Sequence, residues 1–216
     1  MKRFSTLALL VALGVPVAAS ADAFDDAMNA LRSGDPGTGA VLFHGLADAG
    51  DGTAMYNLAL LYHHGMGVPQ NADLALYWAW RARLLGVPKG MALVEQLTAG
   101  LSAPRRKALH EKLVAELKAE VDSGGTAEAG TLFLRLALVE VGLSPKPDPL
   151  QAYVWYSLAA ALGQKAAIGP RDAMLASLKP KTAESAETSA MQAFAAWCDA
   201  KGAQSPAVCS VVMAGG

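Results

Sequence analysis

Residues 53–86 read TAMYNLALLYHHGMGVPQNADLALYWAWRARLLG, and residues 130–163 read GTLFLRLALVEVGLSPKPDPLQAYVWYSLAAALG. Laid over each other with a shift of 77, they bring Gly65 onto Gly142, Asn71 onto Asp148, Ala75 onto Ala152 and Trp78 onto Trp155. The same shift brings Ala82 onto Ala159, Leu85 onto Leu162 and Gly86 onto Gly163. Where identity is lost, Met55, Tyr56 and Tyr62 meet Leu132, Phe133 and Val139, so apolar character persists. Self-similarity at a fixed period inside one chain is the signature of a helical array.

Each copy reads as a helical hairpin. A first helix, helix A, spans about Thr53 to His64, with Tyr56, Ala59, Leu60 and either Tyr62 or Met55 on one broad apolar face. Gly65 and Gly67 stop it, because glycine readily takes the left-handed conformation that closes a helix. Helix B then carries Ala75, Trp78, Ala82 and Leu85 at spacings of three, four and three, one stripe of a helix. In the second copy Asp148 precedes Pro149, an N-cap followed by proline at the first helical position. The alanines of the stripe let a neighbouring helix approach closely, and the tryptophan fills the space beside them.

The run Ala54, Tyr56-Asn57-Leu58-Ala59, Tyr62, Gly65-Met66-Gly67-Val68-Pro69, followed by Ala75, Trp78, Ala82 and Gly86, closely resembles the Sel1-like repeat, a relative of the tetratricopeptide repeat. The second copy keeps Gly142, Pro145, Asp148, Ala152, Trp155-Tyr156, Ala159-Ala160 and Gly163, but has Arg135 in place of Leu58 and lacks a counterpart of Gly67. The resemblance implies an all-α, right-handed solenoid of Sel1-like, tetratricopeptide-like hairpins. It also implies a protein-binding adaptor or regulator in the cell envelope, whose partner is another protein or peptide. By analogy with tetratricopeptide geometry, the concave side of the first repeat presents Thr53, Tyr56, Leu60, His63 and His64, and that of the second presents Phe133, Ala137 and Glu140. Such a strip suits an extended or helical peptide. The alternative is that flanking helices cover these residues. Rival functions that the resemblance leaves open are a cell-wall-directed hydrolase and a constitutive structural protein of the envelope.

Outward from the repeats, helical stretches at about Met91–Ala99 and Pro104–Val121 have counterparts at Arg171–Ser177 and Ala183–Ala200, so the duplicated unit is a four-helix block. Ser123-Gly124-Gly125 reads as the seam between blocks. The expected organisation is a leader at 1–21 and one helical repeat domain at 22–216. Within that domain lie a degenerate leading unit at 24–50, blocks at 52–121 and 127–200, and a tail at 201–216. The leader has Lys2-Arg3, an apolar run from Leu7 to Val17 too short for a ~20-residue membrane span, and Ala19-Ser20-Ala21 or Ala21-Asp22-Ala23 as a cleavage site, the alternative being an uncleaved membrane anchor. That pattern predicts a periplasmic or secreted protein with no membrane span after removal of the leader.

Cys198 and Cys209, an even count in an exported chain, are expected to pair, the alternative being two reduced thiols. Their spacing is not that of a Cys-x-x-Cys redox motif. Losing Lys2 and Arg3 leaves 16 basic against 19 acidic side chains with no basic block, which speaks against nucleic acid as a partner. With hydrophobic residues at 53%, chiefly Ala and Leu, and aromatics at only 6%, the composition favours closely packed helices over sheet.

Little in the chain points to catalysis or to a cofactor. His63 and His64 are adjacent, so on a helix they point about 100° apart and are poorly placed to chelate one ion. His44 and His110 stand alone in the sequence, and no metalloprotease or nucleophile-elbow pattern occurs. Glu111, Glu116 and Glu120 alternating with Lys107, Lys112 and Lys118 read as a solvated helix face. Gly34-Asp35-Pro36-Gly37-Thr38-Gly39 lacks the lysine of a phosphate loop and reads as a turn.

Overall fold

A computed structural model describes residues 17–213 of the chain, so most of the expected leader, including Lys2 and Arg3, lies outside the described residues. Among those residues there are eleven α-helices, two short 3-10 turns and no strand. The helices fall into two compact units, 1–98 and 99–216.

The first unit holds α1 (Val17–Arg32), α2 (Pro36–Asp48), α3 (Gly52–His64), α4 (Ala72–Leu84) and α5 (Pro88–Thr98), each packed on the next in chain order. The leading segment is therefore a complete hairpin. The glycine-rich stretch at 34–39 is a turn only as far as Asp35, and α2 starts at Pro36. Asp35 explains this, because its carboxylate accepts the Thr38 N–H at 3.1 Å as an N-cap, and proline fills the first helical position. Gly39 is needed for closeness, since a Cβ there would lie 2.7 Å from Leu31 Cδ2 of α1. Phe24 and Phe43 meet edge to face at 5.3 Å in the same hairpin. In α3 and α4, Met55, Leu58, Leu61, Leu76 and Trp80 are buried with Ala54, Ala59, Ala75, Ala79 and Ala82 between them. Deep burial of so many alanines is what lets these helices pack closely.

The second unit holds α6 (Ala103–Ser123), α7 (Thr126–Leu143), α8 (Pro149–Ala161), α9 (Ile168–Ser177), α10 (Pro180–Lys201) and α11 (Ala207–Met213). Repetition is plain in the caps. Asn71 Oδ1 accepts the N–H groups of Asp73 and Leu74, both at 3.0 Å, and Asp148 Oδ1 accepts those of Leu150 and Gln151, at 2.9 and 3.2 Å. Trp78 and Trp155 are equally buried, each 7% exposed. Helix A differs between the copies. Gly65 ends α3 in the left-handed conformation at φ +68°, as expected, whereas Gly142 is helical and α7 runs on to Leu143.

The duplicated block does not coincide with the packing. α6, counted in the first block from sequence, packs on α7 inside the second unit and buries Leu113, Leu117 and Val121. Ser123-Gly124-Gly125 joins two packed helices and is no seam, while the division between units follows Thr98. No helix among the described residues is long and apolar enough to cross a membrane.

Candidate protein-interaction site

α3 buries Ala54, Met55, Leu58, Ala59 and Leu61, and leaves the stripe of Thr53, Tyr56, Leu60, His63 and His64 uncovered to differing degrees. Thr53 and His64 are exposed, while Tyr56, Leu60 and His63 are half-buried. The spacing of three and four residues along one helix places them on one side. Local bonds set the stripe's ends. Asp51 Oδ1 caps α3 by accepting the N–H groups of Thr53 and Ala54 at 2.7 and 2.8 Å, and Gln70 Nε2 donates to the His63 carbonyl at 2.9 Å. The His63 and His64 rings lie 4.7 Å apart at an interplanar angle of 62°. On the side of α3 facing α2, Ala40, Val41, His44, Leu58, Tyr62 and Val68 line a hollow of about 310 Å³, and Val41 is 72% exposed beside it.

The counterpart residues in the second copy are not presented. Phe133, Ala137 and Glu140 are all buried, which corrects the expectation of a second groove. The cause is α10. It packs along α8 through Tyr153, Ala186 and Ala190, and its Trp197 stands edge to face on Phe133 at 5.9 Å. Glu140 holds three helices together. Its Oε2 pairs with His110 Nε2 of α6 at 2.8 Å, and its Oε1 accepts the backbone N–H of Asp148, at the start of α8, at 2.9 Å. His110, isolated in the sequence, is thus a packed residue. A signal for this was present, because Glu140 is the only acid between Leu132 and Leu143.

Two features of the C-terminal end complete the second unit. Cys198 and Cys209 are bonded, with Cα atoms 5.7 Å apart, as the even count in the sequence suggested. Lys201 Nζ, whose sequence position marks only the end of a helix, donates to the carbonyls of Val121, Asp122 and Gly124 at 2.6, 3.0 and 3.1 Å. A cation there satisfies carbonyls left open at the end of α6 and complements its dipole.

The helices and caps define an all-α fold built of helical hairpins. Residues 52–87 and 134–164 match the Sel1 repeat. Sel1-like repeats generally mediate protein–protein interaction, and the fold is typically a non-catalytic scaffold. Among solved structures, the chain is similar to a protective antigen present in uropathogenic Escherichia coli strains that displays an SLR fold. Identity is 17%, with 91% of this chain and 48% of that chain covered and a TM-score of 0.35, so this chain spans about half of that protein's length. No curated protein gave a significant match.

Proposed function

We propose that the protein is an exported adaptor or regulator that docks a partner polypeptide of the cell envelope along α3, at Thr53, Tyr56, Leu60, His63 and His64. One observation carries this reading: the α3 stripe stays open in the folded chain while its counterparts on α7 are buried. An aromatic ring and a leucine backed by a rigid helix, with imidazoles at one end, offer anchors at helical spacing to an extended or helical peptide. Export agrees with the Cys198–Cys209 bond, since disulfides persist in oxidising compartments. In this reading the repeats scaffold and do not catalyse.

The test is affinity capture from envelope extract with the mature protein and with a Tyr56→Ser, Leu60→Ser variant. Half-buried positions on an open face should lower the melting temperature only slightly and lose a stoichiometric partner. A variant that retains the partner, or one that unfolds as badly as Trp78→Ala, overturns the assignment of the surface.

A further inference from the structure

A cavity of about 400 Å³ lies among α8, α9, α10 and α11 in the second unit. That volume is at the small end of ligand sites, about 300–1,000 Å³. Its walls are apolar, built from Leu158, Ala161, Ala190, Met191, Phe194 and Val208. Ala161 and Ala190 create the room, and Met191, 62% exposed, supplies an adaptable wall.

Two charged groups reach the cavity, and they are not equivalent. Arg171 is already engaged by Asp172, with Nε and an Nη donating to one carboxylate oxygen at 2.9 and 2.8 Å. Glu187 lines the same cavity, is exposed, and makes no ion pair or hydrogen bond among the described residues. The uncompensated charge at the cavity is therefore negative.

One wall is held covalently. Val208 belongs to α11, a helix of seven residues, and its neighbour Cys209 is bonded to Cys198 of α10. A helix this short has little stability of its own. Ser205 Oγ donates to the Cys198 carbonyl at 2.6 Å and fixes the turn that brings α11 back.

We propose that this cavity is a second binding site, taking one bulky apolar side chain of a partner polypeptide whose adjacent Lys or Arg pairs with Glu187, and that the Cys198–Cys209 bond assembles it. The inference rests on the reading of the chain as a protein-binding module. It adds a contact on the second unit with its own chemical preference, an apolar anchor flanked by a base.

The probes are two tetrapeptides, acetyl-Gly-Trp-Lys-Gly-amide and acetyl-Gly-Trp-Glu-Gly-amide, titrated against the oxidised full chain while methyl resonances of Leu158, Met191 and Val208 are followed. The Trp-Lys peptide should shift these signals and bind about fivefold more tightly than the Trp-Glu peptide, the scale of one exposed ion pair. Glu187→Gln should erase that preference while leaving apolar binding. Ala161→Leu, a filling change at an exposed position, should abolish binding of both peptides without lowering the melting temperature, and a Cys198→Ser, Cys209→Ser variant should bind neither. Shifts elsewhere or none, equal affinity for the two peptides, or full binding without the bridge would overturn the proposal. Failure here with the α3 variants still losing their partner leaves the α3 reading intact. Success here with those variants retaining it removes the α3 surface alone.

Discussion

Gly67 shows how one residue joins the Sel1-type loop to the hairpin before it. Its φ is +72°, and a Cβ at that position would fall 2.0 Å from the Pro36 carbonyl oxygen and 2.8 Å from the Gly37 nitrogen. Backbone atoms cannot move aside as a flexible side chain does, so Gly67→Ala combines left-handed strain with a clash against the start of α2. A loss of about 2 kcal/mol or more is expected in chemical denaturation. The second copy needs no such glycine: α7 continues through Gly142, the loop starts later, and Ser144 occupies the equivalent position with an ordinary φ. Asp35 gives a pH-dependent counterpart at the same place. Hydrogen bonds from the Thr38 side chain and backbone lower its carboxyl below the usual value of 3.8. A carboxylate with a depressed folded pKa contributes stability that is present above the unfolded value and lost as pH falls through the folded one. Melts of the wild type should therefore decline more steeply below pH 3.8 than those of Asp35→Asn, which keeps a capping oxygen without the titration.

Among elements, α10 differs most from what its repeat partner implies. α6 packs forward on α7, but α10 packs back on α8 and reaches α7 at Phe133 and α6 through Lys201. Lys201→Met keeps the apolar stem and removes three charge-assisted bonds to carbonyls at the end of α6. The expected cost is about 2 kcal/mol, read from denaturant unfolding of the oxidised protein. Glu140→Ala acts on the opposite end of the same unit. It leaves the Asp148 N–H and the largely buried His110 without their acceptor, so a cost of about 2–3 kcal/mol is expected, with Glu140→Gln milder because its amide oxygen can still serve Asp148.

At the scale of the whole molecule, the two units carry separate stabilising devices. Trp78 in the first and Trp155 in the second are both buried, and truncation of either to Ala should cost about 3–5 kcal/mol. The disulfide belongs to the second unit alone. Its ends are 11 residues apart, a separation for which loop closure contributes about 3 kcal/mol. On reduction, hydrogen exchange in α10 and α11 should accelerate while amides of α3 and α4 keep their protection. Uniform acceleration along the chain would show that the bridge acts on more than its own unit.

Helices α3 to α10, the cap at Asp148, the equivalence of Trp78 with Trp155 and the pairing of the cysteines follow from signals a few residues long, or from comparing the chain with itself. They are legible because backbone geometry and N-cap bonds are local, and because a small-residue stripe at helical spacing can be satisfied only by a close neighbour. Tertiary structure decided which faces remain open. Tyr56 and Phe133 occupy equivalent positions in matching helices, yet one is half-buried and the other lies under Trp197, more than sixty residues further along the chain. The same long-range return of α10 gave Lys201 its carbonyls and, with α11, enclosed the apolar cavity, while α6 turned Glu140 from an expected groove residue into a buried tie. Repeat similarity describes a helix and its immediate neighbour. What covers the outer face depends on where a later helix with no following repeat buries its own apolar side.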